Sequence, residues 1–529
     1  MLIADASTWT RHDLTVGTVW WKSSIGDIAP VDVDTNSVSD WATEQRGNWG
    51  AIIHTRDDAW WILTDAVRSF PILFSYDRDH WVVASHPDAL TEAVSTPMTR
   101  RDHVAQYFRH SGYTWGRDTL LNGVLTLEPG AALALDDTRG EAGEATIHSP
   151  NFSTETIDLD ADELQDRFYD LVCERFADLV EDSRGSQLLI PLSGGADSRL
   201  VASALREIDA PNVLAFTYGI PGGAESSISK RVADAFDIPW IFVDLDGEEM
   251  TTRWCSHSTT QFLRDTWCAD SLPHIQDWYA LKVLRQRAEV DPHGIVVPGH
   301  TVVGNAHGWP ATDPHAPLDR EGMVAILAAH HGALQGRPDE FAAAARDELL
   351  ASVDELWDAG NPDFRWRITA AINVRNRQVK YISNSVRSYE HAGFRWALPM
   401  QERPMWEWWN RAPHAADPDD RAPYIAMINR KTESVIGDSM YYRGPAEGVT
   451  GVRAVVKNLL IATHLDAAAK RAYTVHAQLK HPMGFQFLLP PAAQRGLWRE
   501  LARGRTLLGI YADLFLANEW VPGQHSVVP

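Results

Sequence analysis

Apolar and polar positions alternate in short runs over the first third of the chain, the period-two signature of half-buried strands separated by turns. Such runs lie at 16–21, 50–54, 60–63, 80–85 and 131–135, while helical spacing is confined to 87–94 and 103–110. The pattern predicts an α+β layering around a largely antiparallel sheet. A polar, Gly/Ser-containing stretch at 140–154 leads into an amphipathic helix expected over 160–180, which places a boundary near 155. Two units follow, 1–155 and 156–529, in keeping with a chain of 529 residues that exceeds what one core usually supports.

Beyond the boundary the period changes. Continuous apolar runs at 188–192, 212–219, 239–244 and 294–299 alternate with helical spacing at 200–205 and 225–236. Strands alternating with helices predict an α/β unit with a parallel sheet, whose ligands lie off the carboxyl ends of the strands. The loop 193–198 and the turns 217–219 and 298–300 then share one rim and line a single nucleotide site. From 318 onward the spacing is helical, at 320–334, 338–358, 366–390, 421–437, 450–473 and 492–517.

The stretch Leu192-Ser193-Gly194-Gly195-Ala196-Asp197-Ser198 stands where a buried strand turns into a helix. Two glycines let the backbone approach an anion closely, and the first N–H groups of the helix point at it with the positive end of the helix dipole behind them. This predicts a pyrophosphate pocket. Asp197 is a hard oxygen ligand suited to the Mg²⁺ of a nucleoside triphosphate, with hydroxyls from Ser193 and Ser198. A Walker loop is excluded, because no Gly-Lys-Ser/Thr follows.

Composition narrows the partners. A formal charge of −23 argues against a nucleic-acid backbone. No run of about twenty apolar residues or signal-peptide core occurs, so a cytoplasmic location off the membrane is expected. Cys173, Cys255 and Cys268 fit neither a disulfide framework nor a zinc site. The histidines at 293, 300, 307 and 315 lack metal-ligand spacing and are expected in loops. The pairs Trp20/Trp21 and Trp60/Trp61 are expected to fill cores.

The Ser-Gly-Gly-x-Asp-Ser string resembles the PP-loop of ATP pyrophosphatases, in the adenine nucleotide alpha hydrolase-like fold. Segments 47–50, 64–74 and 118–130 resemble the amino-terminal domain of asparagine synthetases, which implies a glutaminase-like, N-terminal-nucleophile (Ntn) hydrolase fold ahead of the synthetase domain. The parent glutaminases use a first-residue cysteine. Here the text reads Met1-Leu2, so the unit is expected to release no ammonia and to be a remnant or a dock. In the synthetase part the resemblance puts Phe216, Thr217 and Tyr218 where the family holds adenine, with Glu225 shortly after. Gly299 and His300 stand where the family has an acid-bearing turn beside the α-phosphate, but the text continues Thr301-Val-Val-Gly-Asn305, without an acid.

The same resemblance offers Glu390, near Arg387, as general base or arginine partner. Gln401 replaces the family's terminal aspartate, and Glu402 comes one residue late. Arg443, or Lys431 as second candidate, would be the cation on the phosphorus transition state. Together these imply an AMP-forming ligase using ATP and Mg²⁺ to join a small-molecule or peptide carboxylate to ammonia or an amine. A peptide or β-lactam cyclase of the same family is the close alternative, and a non-catalytic nucleotide-binding paralogue the distant one. A separate glutaminase, a precursor peptide and a homodimer are the partners to test.

Overall fold

The computed structural model describes residues 1–26, 28–137, 140–146, 157–221, 224–304, 318–358, 360, 364–412, 421–437, 466–521 and 527–529. The amino-terminal part carries ten strands: β1 (Leu2–Ile3), β2 (Thr10–Leu14), β3 (Gly17–Ser23), β4 (Trp49–Thr55), β5 (Trp60–Thr64), β6 (Leu73–Asp77), β7 (His80–Ala84), β8 (Leu125–Thr126), β9 (Ala131–Asp136) and β10 (Glu141–Thr146). They form two sheets, ordered β1-β7-β6-β8 and β10-β9-β5-β4-β3-β2. The ladders are antiparallel except for β1 with β7.

Alternation decides the layers. Ile52, Ile62 and Leu133 face Phe74, Trp81 and Val83 of the other sheet in one core. Their neighbours Ala51, Ile53 and Leu63 point the other way, onto Trp41 of the helix Val38–Thr43. Leu73 and Ala84, on the far side of the smaller sheet, meet the helices Pro87–Ala93 and Asp102–Ser111. The arrangement is thus helix, sheet, sheet, helix. Of the paired tryptophans Trp21 is buried and stacks on Trp49 at 5.3 Å, while the half-buried Trp20 and Trp60 stack on each other at 5.4 Å against the edge of the core.

The helix α1 (Ala161–Ser183) opens on an Asp160/Glu163 capping box. Beyond it stand β11 (Leu188–Pro191), β12 (Val213–Gly219), β13 (Trp240–Asp244), β14 (Ile295–Val296) and β15 (Arg395–Trp396), with α2 (Ala196–Glu207) between β11 and β12 and α3 (Ala224–Ala235) between β12 and β13. Every neighbouring pair in this sheet is parallel, in the order β13-β12-β11-β14-β15. Strand β11 is buried on both faces, with Leu188 and Ile190 in one core and Leu189 in another, which explains its unbroken apolar run. The strand order reverses between β11 and β14, and a crevice opens there at the carboxyl ends.

Several long periodic stretches are interrupted. The segment 338–358 is two helices, Pro338–Ala344 and Arg346–Leu356. The segment 366–390 passes from α-helix (Phe364–Asn373) through a π-helix (Val374–Ile382) and a 3₁₀ turn (Ser383–Ser385) to α4 (Val386–His391). Long-range anchors account for the change of winding. Lys380 Nζ donates to Thr114 O at 3.1 Å and to Gly116 O at 2.5 Å, while Asn376 Oδ1 accepts from Gly116 N at 2.9 Å. The strand expected over 294–299 is only two residues long. The boundary expected near 155 and the start of the helix expected over 450–473 lie outside the described residues. Among the described residues no helix is long and apolar enough to cross a membrane.

Candidate active site

The loop after β11 is tied to itself by two serines. Ser193 N donates to Ser198 Oγ at 3.1 Å, Gly195 N donates to Ser193 Oγ at 3.1 Å, and the two hydroxyls lie 3.0 Å apart. Ser198 is buried, and its hydroxyl also donates back to Ser193 O at 3.1 Å, which holds the loop in shape. From beneath, Arg199 Nη2 donates to Gly194 O at 3.3 Å. Helix α2 starts at Gly195 without a side-chain cap, which leaves its first N–H groups to serve an anion.

Three rim segments meet here in one cleft of about 400 Å³, as the strand pattern requires. Leu192, Ser193, Asp197 and Ser198 come from the loop, Phe216, Thr217 and Tyr218 from the end of β12, and Gly299 and His300 from the turn after β14. Thr217 Oγ1 donates to Leu192 O at 2.5 Å and accepts from Trp240 Nε1 at 3.0 Å, which pins β12 to the loop. At Gly299 a Cβ would lie 3.1 Å from Ser198 N and 3.2 Å from the Asp197 Cβ, so this turn presses directly on the loop. The glycines 194 and 195 do not line the cleft with side chains, having none; they shape its anion end.

The opposite wall was not legible in the sequence. His274, Gln276, Asp277, Ser385 and Tyr389 complete it. Asp277 is buried, and Tyr218 and Tyr389 donate to its two oxygens, Tyr389 at 3.3 Å. Gln276 Nε2 donates to Tyr218 OH at 2.9 Å. Burial pushes the Asp277 carboxyl up, and the two phenol donors pull it back. His300 and His274 are driven down to about 3 and about 4 by burial, so both imidazoles are neutral around pH 7. His300 Nε2 lies 3.5 Å from Ser385 Oγ.

Asp197 has a cation beside it. Helix α5 (Arg421–Ile436) begins at Arg421, whose Nη2 lies 3.2 Å and 3.4 Å from the two carboxylate oxygens. The buried Tyr424 sits alongside, its phenol raised well above the usual range by burial and by the Asp197 charge. Among the described residues no group of three or more His, Cys, Asp or Glu could hold a metal ion. Magnesium demands an octahedron of oxygens, and a guanidinium already on both oxygens of the single acid opposes a second cation there. Among the described residues Asp197 is thus an ion-pair partner of Arg421, and no all-protein cage for Mg²⁺ surrounds it.

Two of the expected catalytic residues, Glu390 and Lys431, fall elsewhere. Glu390 is outside the cleft: Oε2 accepts from Arg387 Nη1 at 2.7 Å and Oε1 from Trp396 Nε1 at 2.9 Å. Arg387 in turn donates to Ser69 O at 2.6 Å and lies 5.2 Å from the Phe70 and Trp396 ring centroids. This pair welds α4 to the amino-terminal part, which corrects the general-base role. Lys431 points to α1, 2.7 Å from Asp166 and over the Tyr169 ring at 4.9 Å, and so does not reach the cleft. Arg443, the side chain of Glu225, and the histidines 307 and 315 lie outside the described residues.

The asparagine synthase family model matches residues 184–287, from just before β11 to beyond β13. The matched stretch is the loop-bearing part of the parallel sheet, which is thus similar to that family. No curated protein matches the chain.

Proposed function

We propose, on the premise that residues 184–287 are an asparagine-synthase-type segment, that the chain is an ATP-dependent ligase that joins a carboxylate to nitrogen. The carboxylate attacks the α-phosphorus of ATP, pyrophosphate leaves toward the Ser193–Ser198 loop, and an amine attacks the acyl adenylate to give an amide and AMP. One observation carries the reading: the loop, the end of β12 and the Gly299–His300 turn meet in a single cleft at the point where the strand order reverses. The backbone N–H groups opening α2 would hold the pyrophosphate. Phe216, Thr217 and Tyr218 would hold the base, and neutral His300 would hydrogen-bond near the α-phosphate without adding charge.

Residues 1–155 are proposed as a glutaminase-like, Ntn-type unit and 156–529 as the synthetase unit. Nitrogen would come from free ammonia, a separate glutaminase or an amine of the substrate; the last makes the chain a cyclase of a peptide or a β-lactam. A cytoplasmic location belongs to the same proposal. A second reading, nucleotide binding without turnover, is favoured by Arg421 on Asp197.

Incubation of the full chain with ATP, Mg²⁺ and pooled carboxylates, with and without ammonia, tests the choice. Pyrophosphate and AMP in equal amounts support the ligase. ATP binding without pyrophosphate for any carboxylate supports the second reading, and release of ADP and inorganic phosphate overturns both.

A further inference from the structure

A second cavity, apart from the cleft, lies where the amino-terminal sheets meet α1 and the start of the helix Arg403–Arg411. Its volume of about 270 Å³ is near the lower end of small-molecule sites and well above what one water fills. Trp49, Ala42, Ala66 and Pro404 contribute apolar lining. Charged side chains reach it as well: Asp65, Arg175, Glu402 and Arg403, with the exposed Glu44 and Arg46.

Most of the inner polar groups are already engaged. Asp65 accepts from Trp49 N at 2.9 Å, Val67 N at 3.2 Å and Ser69 N at 2.9 Å. Arg403 donates to Glu407 Oε1 at 2.9 Å and to Thr43 O. Arg175 lies 2.9 Å from Asp178 and 3.9 Å from Glu402, so one guanidinium is shared between two acids. Glu402 differs from the rest. It stands at the start of the helix Arg403–Arg411, yet its side chain makes no capping bond and accepts no hydrogen bond among the described residues, although it is only 12% exposed. A carboxyl enclosed without donors is costly. Burial pushes it up to about 8; Arg175 pulls it back, and Asp178, Asp65 and Asp182 push it further up, so it keeps its proton around pH 7. A cation with N–H donors, carried on an apolar body, supplies what this cavity lacks.

We propose that the cavity binds a small organic amine, whose ammonium group pairs with Glu402 while its hydrocarbon part lies against Trp49, Ala66 and Pro404. The site is separate from the nucleotide cleft and does not depend on the ligase reading. It is connected to the cleft through Gln401, which also lines the cavity: its Oε1 accepts from Ser383 Oγ at 2.9 Å and its Nε2 donates to Thr301 O at 3.4 Å, next to His300.

Calorimetric titration of the full chain around pH 7 with n-butylamine, and with butanol and butyrate as its neutral and anionic counterparts, tests the proposal. The amine is expected to bind at millimolar concentration, the range open to so small a ligand, and about tenfold more tightly than either counterpart. Because Glu402 must ionise to pair with it, binding should release about one proton, read from titrations in buffers of different ionisation heat. Glu402→Gln should weaken amine binding by about tenfold or more and abolish the proton release, and Glu402→Asp should keep part of both. Proton release also separates the cavity from the acidic surface, whose carboxylates are already ionised. Equal or tighter binding of butanol or butyrate would overturn the proposal, as would amine binding and proton release unchanged in Glu402→Gln. Failure of all three probes to bind would overturn it too. Thermal melts of both variants separate a lost contact from a lost fold.

Discussion

Burial sets the charge of several side chains, and its direction is measurable. Glu402, at the junction between the amino-terminal sheets and the parallel-sheet part, is pushed up to about 8 by burial. Arg175, 3.9 Å away, pulls it back, while Asp178, Asp65 and Asp182 push it further up. The unfolded chain releases this proton near the ordinary value of 4.5, so between there and 8 the folded state binds more protons and stability falls as pH rises. Glu402→Gln removes the charge. It should raise stability by about 2 kcal/mol at about pH 9, with the difference vanishing at about pH 5, and equal denaturant midpoints at both pH values would refute the assignment. His274 and His300 act in the opposite sense, because their folded values of about 4 and about 3 lie below 6.5. Stability held above 6.5 is lost as pH falls through that window. ATP affinity should cross neutrality without a histidine step; a step near 6.5 that His300→Gln removes would show the imidazole titrating.

The turn after β14 is the element whose shape most directly controls the loop. A methyl group on Gly299 would meet Ser198 N at 3.1 Å and the Asp197 carbonyl carbon at 3.2 Å, so the loop must shift by a few tenths of an ångström. Gly299→Ala should weaken ATP binding by about tenfold, for a loss of about 1–2 kcal/mol in stability. Gly496→Ala is the control, since open space surrounds that helical glycine: it should leave binding unchanged and stabilise the fold by up to about 1 kcal/mol. Equal effects of the two changes on affinity would show that loop packing is not the cause. Elements of this kind were legible in the sequence because local rules make them. The run 188–192, the glycine pair and the period of α2 placed the loop at one end of the cleft, and parallel connectivity brought 217–219 and 298–300 to the same rim. Local patterns say nothing about partners far along the chain. Asp277 reads as the start of the helix Trp278–Leu284, and only the fold puts Tyr218 and Tyr389 on it. Arg421 reaches Asp197 across 224 residues, and Glu390 turns away because Arg387 and Trp396 claim both its oxygens. The uniform helical spacing of 366–390 could not reveal the π-helix, which follows from Lys380 and Asn376 reaching the loop at 114–116.

At the scale of the molecule, the amino-terminal sheets and the parallel-sheet part are bound through a shared interior. One core joins Leu73, Leu90 and Phe108 to Trp254, Trp278, Tyr511 and Trp520. Arg68 Nη2 and Asp270 Oδ2 meet across the two parts at 2.7 Å with side chains only 1% and 0% exposed, and Arg68 Nη1 also donates to Thr126 Oγ1 at 3.0 Å. Thr114 N donates to Asp270 O at 2.8 Å, and Leu398 N to Asn48 Oδ1 at 2.7 Å. A contact surface this dry makes independent unfolding costly, because opening it would strand a buried ion pair and expose several tryptophans. The chain should therefore unfold in one transition seen alike by tryptophan fluorescence and by far-ultraviolet dichroism. Arg68→Ala leaves Asp270 buried and uncompensated, and should cost about 3–5 kcal/mol. Replacing both partners, Arg68→Met with Asp270→Leu, should recover most of that loss, since the destabilisation comes from the stranded charge rather than from the absent attraction. Two separated transitions in the parent chain, or a double variant no more stable than Arg68→Ala, would show that the amino-terminal part rests on the parallel-sheet part rather than forming a portion of one folding unit.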